Sequence, residues 1–574
     1  MKKRNIFFLL LILISYLGLS SCFYIDTNIT STIKSNVYRG TLNSSGTLTT
    51  YFLKNKGDVP YVDFVDVTKS IIDRNITTSS KTDDGYKVLR SDNESYMIVN
   101  SEDDTIYFSN YEAFVSKNKN ESTFSPKSNT YQYTNTNSKE AVEIYSKKFD
   151  LSKYNIDIVE SRDVIYVPFQ IYDTLIYSQL DISLAFNGHD YYYVSDSSHF
   201  MNKSYYNHYF SGRSQSGMRS NEMTQFTYNH LMFALDNFFG IKKTRGIDNF
   251  SELCETEGLK DDLLNRSSET FNKALNNLIY TYLDDGHSTF VVSSNYLTYD
   301  ASADAKYQDD YPGQRRKALK DEYDKLNAYR NLRRGISFVG NGMKDTYNVS
   351  GNTLIITIDS FNFPTVNYYD EEPNQRTYKS DSFAVMYYAF NKYIPSYEKA
   401  YNTKISNIVI DVTLNGGGYV DDCLGLLGFL SNNYYVEYEN SASKDISKTY
   451  FSVDTNLDGK FDDEDSYEGK YNFYILTSNY SFSCSNMLAS VCKEQNLATI
   501  IGEETGGGGA IVYNLCLADS TSINISGAHS LIYYDNDNIK YAENKITPDY
   551  ILDSSYFYTP SIINTFINSN NTQN

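Results

Sequence analysis

The sequence predicts an α/β fold: a core of repeated strand-turn-helix units, preceded by a helical segment and a β-rich N-terminal domain. Three observations carry that expectation. After about residue 350, short apolar runs alternate with helical stretches, as in a sheet with helices on its faces. Between about 217 and 334, apolar residues recur at helical spacing. Before about 215, the chain is rich in Tyr, Ser, Asn and Thr and short of helical periodicity.

The N-terminus reads first. Lys2, Lys3 and Arg4 precede an apolar stretch from Ile6 to Leu19, too short to span a bilayer comfortably. It runs into Leu19-Ser20-Ser21-Cys22, which looks like a bacterial lipobox. The expectation is a leader over 1–21, a diacylated Cys22, and a chain tethered by lipid at the extracytoplasmic face of a bacterial cell membrane. The remaining cysteines are Cys254, Cys423, Cys484, Cys492 and Cys516. An odd number without CxxC spacing reads as buried small side chains, not a disulfide framework.

Within 22–215, two stretches resemble each other: Asp58-Val59-Pro60-Tyr61-Val62-Asp63-Phe64 and Asp163-Val164-Ile165-Tyr166-Val167-Pro168-Phe169. Each reads as a strand entering a helical turn, a weak internal duplication. Over 216–345, helices are expected from Met223 to Phe239, from Leu259 to Leu283, and from Lys317 to Arg334, the last amphipathic. The core over 346–574 starts with the strand run Leu354 to Ile358. A helix from Phe383 to Ile394 follows, with Pro395 marking its end. Strands at Ile408 to Val412, Phe473 to Thr477 and Ala498 to Ile501 alternate with helices at Cys423 to Leu430 and Asn486 to Glu494.

Composition excludes one class of partner. The formal net charge of −20 repels nucleic acid. The 56 Tyr and 32 Phe, with no Trp, read as codon bias or as an aromatic glycan or peptide surface.

Three turns carry chemistry. Ser481-Phe482-Ser483-Cys484-Ser485-Asn486 puts a Ser at a helix N-terminus, where backbone N–H groups and the helix dipole favour an alkoxide. Asn415-Gly416-Gly417-Gly418 ends a strand with glycines that let N–H groups approach a substrate. Asp285-Gly286-His287-Ser288 places one of only six His in a turn after a helix. Each motif alone also fits a cap, a loop or a structural His.

Their order is more specific. DGH, then Asp411 to Gly418, Ser481 to Ser485, Gly502-Glu503-Glu504-Thr505-Gly506-Gly507-Gly508-Gly509, and Glu543-Asn544-Lys545-Ile546-Thr547-Pro548-Asp549 together resemble the tail-specific, or carboxyl-terminal processing, serine proteases. The resemblance spans roughly 270 to 555 and implies a crotonase-like peptidase core. One branch of that family uses a Lys 25 residues after the Ser, and that position here is Gly508. The lysine-lacking, tricorn-core-like branch implies Ser483 as nucleophile, His287 as base and Glu543 as its orienting carboxylate, with no catalytic cofactor. The oxyanion would be held by the N–H groups of Cys484 and of Gly416 or Gly417. Two positions depart from the family: Gly286 stands where a helper Ser precedes the His, and Thr413 stands where an Arg anchors the glycine loop. The stretch between the His motif and the next core strand is too short for a complete PDZ domain. Cys484 is a rival nucleophile, which the family register disfavours.

Asp454 to Asp465 matches a calcium loop, with Asp454, Asn456, Asp458, Lys460, Asp462 and Asp465 at the ligating positions and Gly459 at the turn. An acidic hairpin reads equally well. The function expected is a lipid-anchored serine peptidase acting on polypeptides. The alternatives are a surface-anchored binding protein on a degenerate peptidase scaffold and a carbohydrate-associated surface protein.

Overall fold

The computed structural model describes residues 28–571, except 71–75, 91–94, 116–132, 136–139, 144, 195–201, 214–215, 298–310, 312, 335–345, 363–367, 371–372, 374–380 and 536–537. The expected leader and Cys22 lie outside the described residues.

The alternating apolar runs form a six-stranded sheet in the order β1 (Tyr347–Ser350), β2 (Thr353–Thr357), β3 (Asn407–Asp411), β4 (Asn472–Thr477), β5 (Thr499–Gly502) and β6 (Tyr550–Ile551). β1 runs antiparallel to β2, and the other pairings are parallel. Successive side chains on a strand point to opposite faces, so these continuous apolar runs feed two cores. On one face Ile355, Val409, Leu476 and Ile501 pack with Leu326 of α1 (Gln314–Arg334) and with Ile563 and Ile567 near the C-terminus. On the other, Ile356, Ile410, Ile475 and Ile500 pack with Leu424 and Leu427 of α2 (Val420–Gly428) and Leu488 and Val491 of α3 (Cys484–Glu494). Each such side chain is worth about 1.5–3 kcal/mol of burial. The C-terminal ends of β3 and β4 are therefore rigidly placed, and the reactive turns leave from them.

The N-terminal region is β-rich, with a seven-stranded and a five-stranded sheet among the described residues. The two similar stretches are neighbours there: Tyr61–Asp63 pairs antiparallel with Val164–Pro168, and Val62 faces Val167. Each strand leads into a helix, Phe64–Ser70 and Phe169–Tyr172. One apolar core joins this sheet to the following helices and to Leu515, Ile523 and Ile525 of the strands near the C-terminus. The boundaries read at 215 and 345 thus do not divide the apolar packing.

Two helices differ from expectation. The stretch from Leu259 to Leu283 is not continuous; it forms Lys260–Leu263, Ser268–Asn277 capped by Ser267, and a π-helical turn over Leu278–Leu283. Pro395 does not end its helix. A π-helical turn over Ala389–Tyr393 places it in the first turn of Ile394–Tyr401, where a missing N–H costs little.

Candidate active site

The nucleophile turn is tied to the glycine loop before the helix begins. Ser478 Oγ donates to the Thr413 carbonyl at 2.6 Å, and Ser481 Oγ donates to the Val412 carbonyl at 2.8 Å. The Ser483 N–H donates to Gly507 O at 2.9 Å. Ser483 then enters α3 at φ 56° and ψ −118°, and its side chain makes no capping bond. A non-glycine residue there is strained by about 1–3 kcal/mol and persists only where its surroundings over-determine it. The hydroxyl is thus not used as a cap, which was the competing reading of this turn. Cys484 is buried, its Sγ donates to Gly418 O at 3.1 Å, and burial pushes its thiol up to about 12. A thiol so held is not a thiolate at neutral pH, which favours Ser483.

The glycine loop needs its glycines. A Cβ on Gly417, at φ 110°, would lie 2.6 Å from Ser483 Cβ. The Gly417 N–H donates to Asn415 Oδ1 at 2.8 Å, so it is not free to hold an oxyanion. The N–H groups of Gly416 and Cys484 have no acceptor among the described residues. With Thr413 in place of an Arg, the loop is anchored by other bonds. Thr413 Oγ1 bonds Asp411 Oδ1 at 2.6 Å and Tyr558 OH at 2.9 Å, and Asn415 Nδ2 donates to Ile358 O at 3.1 Å.

His287 comes from a different layer. Asp285 Oδ1 accepts from the N–H groups of His287 and Ser288, and Asp285 Oδ2 accepts from Ser288 Oγ at 2.7 Å. The Ser288 hydroxyl is therefore taken up by Asp285. The imidazole Nδ1 lies 3.5 Å from Ser526 Oγ, while Nε2 is out of contact with solvent and has no hydrogen-bond partner. Burial, with smaller contributions from Arg315 and Arg316 and against the pull of Asp285, takes the imidazole down to about 4.

Glu543 is buried, and its pairing corrects the expected one. Its Oε1 accepts from Arg315 Nη1 at 2.6 Å, and its Oε2 accepts from the Gly509 N–H at 2.9 Å. No hydrogen bond joins Glu543 to His287, or His287 to Ser483. Burial raises the Glu543 carboxyl above its usual range, against the pull of Arg315.

Ser483, His287, Gly416 and Gly418 nevertheless line one cavity of about 550 Å³, with Leu319 and Tyr323 of α1 on its wall. The reactive groups of three separate motifs therefore face the same space. Sequence reasoning missed Arg315, Arg316, Phe482 and Ser526. Arg315 and Arg316 lie in the first turn of α1, which starts at Gln314, ahead of the helix start read at Lys317. The Phe482 ring lies 4.7 Å from the His287 ring and would collide with a Cβ on Gly286 or Gly508.

In the candidate calcium loop, the carboxylates cap the loop's own backbone. Asp454 accepts from the N–H groups of Asp458 and Gly459, and Asp465 accepts from those of Thr455 and Asp462. Asp458 pairs with Lys460. Among the described residues no group of three or more His, Cys, Asp and Glu could hold a metal ion.

No curated protein matches this chain. Among solved structures, the photosystem II D1 C-terminal processing protease is 17% identical with a TM-score of 0.25, over 35% of this chain and 42% of that one. A peptidase-designated protein from Parabacteroides merdae is 16% identical with a TM-score of 0.38, over 60% of this chain and 96% of that one. The tricorn protease is 14% identical with a TM-score of 0.22, over 43% of this chain and 18% of that one. The chain thus spans less than half the length of the first and third. Residues 355–552 match Peptidase family S41. That span holds the glycine loop, Ser483 and Glu543, and it is this part of the chain that is similar to the S41 peptidases.

Proposed function

We propose that this chain is a serine peptidase that hydrolyses exported or extracellular polypeptides from a lipid anchor at Cys22. The observation that carries the catalytic part is Ser483: a strained, uncapped serine at a helix N-terminus, facing a cavity it shares with His287 and the glycine loop. In the reaction, Ser483 Oγ attacks the scissile carbonyl and His287 takes its proton. His287 then returns that proton to the leaving amine. The N–H groups of Gly416 and Cys484 hold the oxyanion, and the dipole of α3 adds to them. Glu543 stabilises the imidazolium once it reaches His287. The lowered imidazole is neutral at neutral pH, the form a general base requires.

A fluorophosphonate probe tests the assignment. Labelling that Ser483→Ala abolishes supports the peptidase; no labelling of the folded wild-type chain overturns it. One observation favours a second reading, a binding protein on a degenerate scaffold: His287 Nε2 has no partner and Glu543 is bonded to Arg315. The same probe separates the two. Among the described residues no helix is long and apolar enough to cross a membrane. Anchoring is tested by labelled palmitate, with incorporation expected in the wild type and absent in Cys22→Ala.

A further inference from the structure

The first turn of α1 gathers all three outlying pieces of the site. The Arg315 N–H donates to Asp284 Oδ2 at 2.9 Å. Its guanidinium donates to Glu543 Oε1 at 2.6 Å and to Gly506 O at 3.1 Å, and lies 5.5 Å from the centre of the Phe482 ring. The next residue, Arg316, donates to the carbonyls of Gly286 and Ser288, on either side of His287. One helical turn thus grips the His turn, the loop that carries Gly508, and the catalytic carboxylate.

The chemistry of that grip opposes the reaction proposed above. General-base catalysis by His287 needs its charged form stabilised as the proton arrives. Here a carboxylate that could do so is bonded to a cation, and that cation also faces the imidazole. The groups facing His287 are Asp285, Arg315 and Arg316 among the charged ones, with Ser526 Oγ and the Phe482 ring. A buried ring nitrogen without a partner is costly, because it has lost its water and gained nothing in exchange. It marks an arrangement that other contacts impose. Arg315 supplies such a contact, since the Glu543 side chain it holds is 1% exposed and its own is 20% exposed.

We propose that Arg315 is a positioning residue that holds the site latent: it keeps Glu543 away from His287 until the first turn of α1 is displaced. Substrate or a partner lifting that turn removes two cations from the imidazole and frees the carboxylate, and the Ser-His-Glu arrangement assembles. The inference rests on the assignment of His287 and Glu543 under the proposed function.

The test reads His287 directly, independent of hydrolysis. Isotope-labelled histidine in the full chain is titrated by NMR, with His287 assigned by its loss in His287→Asn. Arg315→Gln is expected to raise the His287 midpoint by about one pH unit or more, and to produce a hydrogen-bonded ring N–H signal. Arg315→Lys retains the cation and is expected to keep the low midpoint. If Arg315→Gln does not fold, Arg315→Met, which removes the same charge and keeps the apolar stem, is read in its place and is expected to raise the midpoint likewise. An unchanged or lowered midpoint in the folded variant overturns the proposal. Fluorophosphonate labelling of the same samples reports separately on the nucleophile. The release of Glu543 is expected to speed labelling about tenfold at neutral pH. A raised midpoint with no labelling in any sample counts against Ser483 and not against the latch.

Discussion

The two halves of the site are built differently. The half that holds the proposed nucleophile hangs from adjacent parallel strands. β3 ends in the glycine loop and β4 ends in the Ser483 turn, and Ser478 and Ser481 bond the two turns to each other. The base half is assembled from outside that sheet, by a turn at 285–288, a carboxylate at 543 and a helix that starts at 314. In the first half the strain at Ser483 and the glycine contacts are over-determined by the ladder and two apolar cores. In the second, His287 Nε2 has no partner and Glu543 is bonded to Arg315. The contrast teaches that sheet ends fix geometry through the backbone ladder, while groups from separate elements are fixed by the side-chain pairs that packing happens to bring together.

The strongest blow to that comparison comes at the nucleophile. Ser483→Ala is expected to lower peptide hydrolysis by about 10⁴-fold or more while the fold is kept, measured as kcat/KM on an unstructured polypeptide. Retained hydrolysis would move the nucleophile elsewhere. Next is Gly417→Ala, which drives a Cβ against Ser483 and strains a backbone at φ 110°. A loss of about 10²-fold is expected, of the size seen when oxyanion geometry fails. Full activity in that variant would show that the rigid half yields as easily as the other.

The smallest effect sharpens the description of the base half. The folded His287 sits near 4, below the 6.5 of an unfolded His, so the unfolded chain binds the extra proton as pH falls between those values. Stability from this group is therefore lost on acidification from about 6.5 towards about 4. The loss is about 2 kcal/mol between pH 7 and pH 5. Denaturant unfolding of wild type and His287→Asn at both pH values should show the variant losing less. Equal losses would mean that the imidazole titrates normally.

Much of the nucleophile half was legible in the sequence, because its signals are local. A strand, a tight turn and a helix lie within a few residues of Ser483, and three glycines in a row announce a close backbone approach. The apolar runs of β2 to β5 likewise betrayed a sheet buried on both faces. Helix ends were less legible: Pro395 read as a stop, and only the π-helical turn before it made it a start. The domain divisions blurred for a related reason, since apolar side chains from distant segments merged into one core.

By itself, then, the sequence determined which chemical groups exist and which of them share a turn: Ser483 on α3, the loop at 416–418, His287 after Asp285. Only the tertiary structure decided how these groups pair. Arg315 and Glu543 are 228 positions apart, and His287 and Ser526 are 239 apart. No periodicity links such residues, because their approach depends on how whole elements pack. The physical reason is range. Backbone conformation follows neighbours a few residues away, whereas a buried ion pair forms only where packing has removed water from both partners at once.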